Sequence, residues 1–195
     1  MAILLLSIRE SLDVSFEALF TENVAVLDEE RKKPKRMQKW ANIIIANIFK
    51  VLRFRQQEDM PTSFKYAQTI RRVQKLADGH RDIVNRSWVH LSNNHKGLLP
   101  EQVQELRKIK WCILKILSEV EATFEKRESV SPDIIIQDIQ EMRDLAEKYH
   151  SRQVERIQDD SSKTRLSILF YAILGNAMML SKQNVRLLEI FSETF

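Results

Sequence analysis

The sequence predicts an all-α fold of six long antiparallel helices, arranged as two tandem three-helix bundles. Three observations carry that prediction. Only three glycines and four prolines occur in 195 residues, which leaves little turn material. Apolar residues recur three and four positions apart along most of the chain, the spacing that lines one face of a helix. Nowhere do β-branched and aromatic residues alternate with polar ones over the length of a strand.

The first helix is expected over about residues 2–31, with Ile8, Leu12, Phe16, Leu19, Val26 and Leu27 on its apolar face. It ends in the run RKKPKR, where Pro34 breaks the helix and the basic side chains suit its negative end. The second spans about 36–57, with Met37, Trp40, Ile44, Ile48, Val51 and Leu52 on one face and a stop in QQEDMP, closed by Pro61. The third starts at a Thr62 or Ser63 cap and runs to about 93 through Phe64, Ala67, Ile70, Ala77, Val84, Trp88 and Leu91. NNHKGLLP reads as a loop, with Asn94 and Gly97 suited to a helix C-cap and Pro100 to a new start. The fourth helix, about 100–128, carries Val103, Leu106, Ile109, Ile113, Leu117, Val120 and Phe124. The fifth opens on Ser131 as cap and Pro132 as first residue, and passes through Ile135, Ile139, Met142, Ala146 and Tyr149 to about 159. The sixth follows DDSSKT and runs to about 193. Long helices with short links pack antiparallel, and three amphipathic faces close one core, so the expected units are residues 1–96 and 97–195.

Composition narrows the function. With 44% hydrophobic and 30% charged residues the chain is ordinary for a soluble globular protein. A net charge of +4 permits an anionic partner without requiring one. Nucleic acid is disfavoured, because no dense basic face interleaves with aromatics; only Trp40 lies near the basic run as a stacking platform. The single Cys112, in WCILKIL, reads as a buried inert thiol and excludes an internal disulfide, which fits a reducing, cytoplasmic setting. The apolar start MAILLLSIRESL is too short for a secretory signal and has no basic region before it. The apolar stretch Leu166 to Leu180 falls short of the ~20 residues that span a bilayer and reads as a core helix.

Catalytic motifs are missing. There is no nucleophile elbow, no glycine-rich phosphate loop and no suggestive Cys/His pairing. His80, His90, His95 and His150 include no pair four residues apart. A carboxylate-bridged metal enzyme needs Glu-x-x-His on facing helices, and Glu147 with His150 is the single such pair. Asp78 and Asp82 stand one turn apart on the third helix, with Gln74 one turn earlier, so their oxygens can begin a divalent-metal site if other elements supply more ligands. The competing reading pairs Asp82 with Arg86 and Asp78 with Arg81 or Lys75. Gly79 beside them suggests that a neighbouring helix approaches the backbone closely. Arg31, Lys32, Lys33, Lys35 and Arg36 crowd the first interhelical turn, as a solvated turn or as a contact for anionic lipid headgroups or an acidic partner.

Two three-helix units of this length resemble the PhoU family of phosphate-transport regulators. In the second half, AEKYHSRQVERIQDDSSKTRLSILFYAILGNAMMLSKQNVRLLEIF is similar to the end of PhoU-like domains attached to sodium/phosphate cotransporters, with His150, Arg152, Arg156, Leu174, Asn176 and Leu180 in the family frame. In the first half, IRRVQKLADGHRDIVNRS is similar to the stretch that carries the family's metal-binding acids. Gln74 takes the place of the first acid, Asp78 matches the second, and Asp82 stands where the family often has Asn. In the second half Met178 and Lys182 occupy the acid positions, and neither is an oxygen ligand for a hard metal. The resemblance implies a single PhoU-like domain formed by both units. It implies a non-enzymatic regulatory or accessory role in bacterial phosphate transport, with no cofactor beyond a divalent metal at a partial site. The implied partner is the membrane domain of a phosphate transporter, with the chain at the inner face of the cell membrane. A helical adaptor and a metal-binding helical-bundle enzyme are the alternatives, and helical faces carrying Trp88 or Trp111 are candidates for contact with a second copy.

Overall fold

Residues 1–54, 60–126 and 132–192 are described by a computed structural model. Among them there is no strand; the elements are seven α-helices. They are α1 (Ala2–Phe20), α2 (Val24–Glu30), α3 (Lys33–Phe54), α4 (Met60–Ser92), α5 (Pro100–Lys126), α6 (Pro132–Gln158) and α7 (Thr164–Ser192).

The expected first helix is broken into α1 and α2. Glu22 adopts a left-handed conformation, φ 52°. The Asn23 N–H bonds back to the Ala18 carbonyl at 2.7 Å and the Glu22 N–H to Leu19 at 3.3 Å, a Schellman closure built without glycine. Asn23 then caps α2, its side-chain oxygen accepting the Val26 N–H at 3.1 Å. Local hydrogen bonding therefore wins over the continuing apolar period. The short α2 turns Leu27 and Glu30 into the interior. Pro34 falls at the second position of α3, where its missing N–H leaves no intrahelical bond unmade. Asn94 and Asp160 supply the other two left-handed ends, φ 54° and 59°, after α4 and α6. Gly97, suggested for that role, has no positive φ; a Cβ there would meet the Glu22 carboxylate at 2.2 Å. Thr62 and Ser63 lie inside α4, which begins at Met60. The Ser131 cap and residues 55–57 of the expected second helix lie outside the described residues.

Helices α1, α3 and α4 touch one another, α5, α6 and α7 do the same, and the two trios meet along α1/α5 and α4/α7. One continuous core results, centred on Leu12, Phe16, Leu76, Ile109, Ile113, Phe170 and Ile173. Each fully buried side chain of this kind contributes roughly 1.5–3 kcal/mol by leaving water. Ion pairs stitch α1 to α5: Arg9 with Glu121 at 2.9 Å, and Lys110 with Asp13 at 2.5 Å and Glu17 at 2.7 Å. Thr164–Phe191 is long and apolar enough to cross a membrane by length and composition, but half of that window is buried inside the molecule, against α4, α5 and α6. Its apolarity is explained by its central position.

The α5 and α6 stripes turn inward as the spacing predicts, most of their residues buried and Val103, Phe124 and Ile139 half-buried. The α3 stripe is not. Met37 and Ala41 are buried, whereas Trp40 and Val51 are 37% and 40% exposed, and Phe64 on α4 is 66% exposed. Helix α3 is peripheral, covered by α1, α2 and α4 on one side only.

Candidate functional site

Of the three residues expected to begin a metal site, the two carboxylates have guanidinium partners. Asp78 pairs with Arg81 at 2.7 Å, and Asp82 pairs with Arg86 at 2.7 Å while accepting from the Asn176 side chain on α7 at 2.6 Å. Gln74 is exposed and stands apart from these pairs. A hard divalent cation needs several oxygen donors free of competing cations. Here both carboxylates are already engaged by guanidinium groups. Among the described residues no three His, Cys, Asp or Glu side chains converge on one point. Glu147 and His150 are both exposed, and His150 packs on the Tyr171 ring at 5.1 Å. The close approach inferred at Gly79 is real: a Cβ there would stand 2.3 Å from the Met179 methyl and 3.0 Å from Leu180, because α7 crosses α4 at this point.

The basic turn is largely neutralised from within. Arg31 pairs with Asp28 at 2.6 Å and lies over the Trp88 ring at 4.0 Å. Lys32 reaches Glu29 at 2.5 Å and Asp28 at 3.5 Å, and Lys33 pairs with the buried Glu30. Lys35 and Arg36 remain exposed, with no ion pair among the described residues. They open the outer face of α3, which continues with Lys39, Lys50 and Arg53 and has no Asp or Glu from end to end. Trp40, Ile43, Phe49 and Val51 are exposed on the same helix. The free positive charge has thus moved from the turn to a helix whose outward surface is both cationic and apolar. The composition of α3 was a sequence signal for this; its one-sided burial was not.

A buried polar chain links α1, α2 and α4, and sequence reasoning missed it. His80 Nε2–H donates to Ser11 Oγ at 2.9 Å, and the Ser11 hydroxyl donates to Glu30 Oε2 at 2.7 Å. His80 Nδ1 is buried without a partner. The carboxylate orients the serine, not the imidazole, which is the reverse of a nucleophile–base–acid relay. Burial, reinforced by the Lys33 ammonium, pushes the His80 pKa down to about 3, so the ring is neutral at ordinary pH. The three residues are buried and hold helices together.

Arg152 and Arg156, two of the residues in the resemblance, have a structural role. Arg156 forks onto the buried Glu105 at 2.7 and 3.2 Å, with Arg152 at 3.4 Å, which staples α6 to α5. Beside them Gln102, Gln153, Ser162 and Ser167 form a buried hydrogen-bonded cluster that ties the end of α6 to the start of α7.

No family model matches the chain, and no curated protein matches it in sequence. Solved structures do match in fold. The crystal structure of PhoU from Pseudomonas aeruginosa superposes with a TM-score of 0.81 at 12% identity, covering 96% of this chain and 90% of that one. The phosphate transport system regulatory protein PhoU from Streptococcus pneumoniae superposes with a TM-score of 0.78 at 14% identity, covering 99% and 91%. The chain has the PhoU fold.

Proposed function

We propose that this chain regulates or assists inorganic phosphate transport in bacteria, acting by protein–protein contact and without chemistry of its own. The observation that carries this reading is the end-to-end correspondence with PhoU, over nearly the full length of both partners. The interior supports it: the buried polar groups serve helix packing, and the Ser11–His80 contact is wired against nucleophilic use. The proposed partner is the membrane domain of a phosphate transporter, either in another chain or continuous with this one, which places the protein at the cytoplasmic face of the membrane. Regulation then requires that the chain bind one transporter conformation more tightly than another, since equal binding shifts nothing.

The contact surface in this reading is the outer face of α3, entered through Lys35 and Arg36, where cations and exposed apolar side chains share one helix. Such a helix suits an anionic headgroup layer, each Lys or Arg near the surface gaining about 1 kcal/mol. A divalent metal at Gln74, Asp78 and Asp82 has no part in it, because Arg81 and Arg86 already hold the carboxylates. A second copy is a candidate partner through Trp111, which is 58% exposed on α5; Trp88, under Arg31, is less available.

The direct test is phosphate uptake in cells of the source organism lacking the chain. Uptake that no longer falls when external phosphate is abundant is the expected result; unchanged control of uptake overturns the proposal. Flotation with phosphatidylglycerol vesicles tests the surface separately. The wild type should float at low salt and the Lys35→Glu/Arg36→Glu variant should not. Flotation insensitive to salt and to charge reversal counts against α3.

A further inference from the structure

Cations without a carboxylate partner gather in a second place besides α3. Helices α4 and α6 do not touch each other, and both pack on α7. Between them, above α7, lies a cleft of about 790 Å³. That volume falls in the range of small-molecule sites. Arg72 and Lys75 line it from α4, Arg143 from α6 and Lys182 from α7. None of the four has an ion pair among the described residues, although cations elsewhere, such as Lys110, Arg81 and Arg156, are paired. The single carboxylate in the lining, Glu189, is bound to Arg186 at 2.8 Å.

Arg72 is the least satisfied member. Its Nη1–H donates to the buried Gln183 side chain at 2.9 Å, which fixes the guanidinium against α7. Its Nε–H is buried without an acceptor. Unpaired like charges around one cleft repel, and a buried charged donor with no acceptor is disfavoured. A polyanion with several acceptor oxygens relieves the repulsion, and a guanidinium fork matches phosphate geometry. Apolar, adaptable side chains share the lining, among them Met178, Met179, Val185 and the buried Met142, beside the polar Gln140 and Ser181.

We infer that the cleft between α4, α6 and α7 binds a phosphate-bearing small molecule with an apolar body, of the class of nucleoside polyphosphates. Phosphate oxygens engage Arg72, Lys75, Arg143 and Lys182, and the base or other apolar part lies over the methionines. The inference is independent of the transport role, since it rests on the cleft alone.

The test is calorimetric titration of the full chain with ATP and with tripolyphosphate at physiological ionic strength, without added divalent cation. ATP should bind, and more tightly than tripolyphosphate. Arg143→Glu/Lys182→Glu should weaken ATP about tenfold or more, the loss expected when charge-assisted hydrogen bonds are removed. Arg143→Lys/Lys182→Arg should stay within a few-fold of wild type. Lys35→Glu/Arg36→Glu, with the same change in net charge on α3, should change affinity less than about threefold at that ionic strength. If circular dichroism reports that the reversed variant is unfolded, Arg143→Gln/Lys182→Gln takes its place. Absence of ATP binding overturns the inference. So does equal weakening by the α3 variant, which would reduce the effect to long-range attraction. Phosphatidylglycerol vesicles held through Arg143 and Lys182, with no binding of ATP, would assign these cations to a bilayer and also overturn it.

Discussion

Acidification from about pH 7 to about pH 5 should destabilise this protein through one residue, His80. The ring lies within the α1/α2/α4 contact, donates to Ser11 and is 0% exposed. Burial first, and the nearby Lys33 ammonium second, lower its pKa from 6.5 to about 3. In the unfolded chain the imidazole takes up a proton near pH 6.5. Between these two values the unfolded state binds more protons than the folded one. The stabilising contribution is therefore complete above about pH 6.5 and is lost as the pH falls towards 3. The limiting slope is about 1.4 kcal/mol per pH unit, so the step from pH 7 to pH 5 costs about 2 kcal/mol from His80 alone. That is a large part of the roughly 5–15 kcal/mol that holds a domain folded. Urea unfolding followed by far-ultraviolet circular dichroism at several pH values measures it. His80→Gln keeps an N–H for Ser11 and cannot titrate, so every other group's contribution cancels in the difference between the two proteins. The wild type should lose about 2 kcal/mol more than the variant over this range. Equal slopes, or a wild type that gains stability in acid, would refute the assignment of a neutral buried ring.

Four further outcomes are expected. Glu105→Ala leaves Arg156 without its fork partner in a site 12% exposed, and should cost about 3 kcal/mol, read as a melting temperature lower by roughly 6–12 °C. Gly79→Leu drives a branched side chain into Met179 and Leu180 and should cost at least about 2 kcal/mol in urea unfolding; Gly79→Ala should fall within about 1 kcal/mol of wild type, as helix propensity offsets a contact that the flexible Met179 methyl can yield. Cys112, with its thiol pKa pushed up to about 11 by burial and then by Glu141 and Asp138, should react with a thiol reagent in the unfolded protein and hardly at all in the folded one. Residues 1–96 produced alone should fail to give a cooperative melt, because α1 and α4 lose the cover of α5 and α7.

Much of the proposed contact surface is written in the chain. The run Arg31 to Arg36 is dense in the sequence, but Asp28, Glu29 and Glu30 lie one turn earlier, and a helix brings those charges within reach of Arg31, Lys32 and Lys33. The acid-free composition of α3 was equally plain, yet only the packing exposes Trp40, Ile43 and Phe49, since a peripheral helix has one covered side. The gathering of the cleft cations had no sequence signal. Arg72, Lys75, Arg143 and Lys182 come from three helices, and nothing local relates them.

The sequence by itself determined that the chain is helical, where most helices end, and which faces of α5 and α6 turn inward, because helix periodicity, proline and capping chemistry act over a few residues. It also marked Gly79 as a point of close approach. The tertiary structure decided the break at Glu22 and Asn23, the neutral His80 under Ser11, the Arg156 fork on Glu105, and which charges remain unpaired. Those outcomes depend on burial and on Coulomb partners brought from distant positions. Both fall off within a few ångströms in space, and neither is a function of distance along the chain.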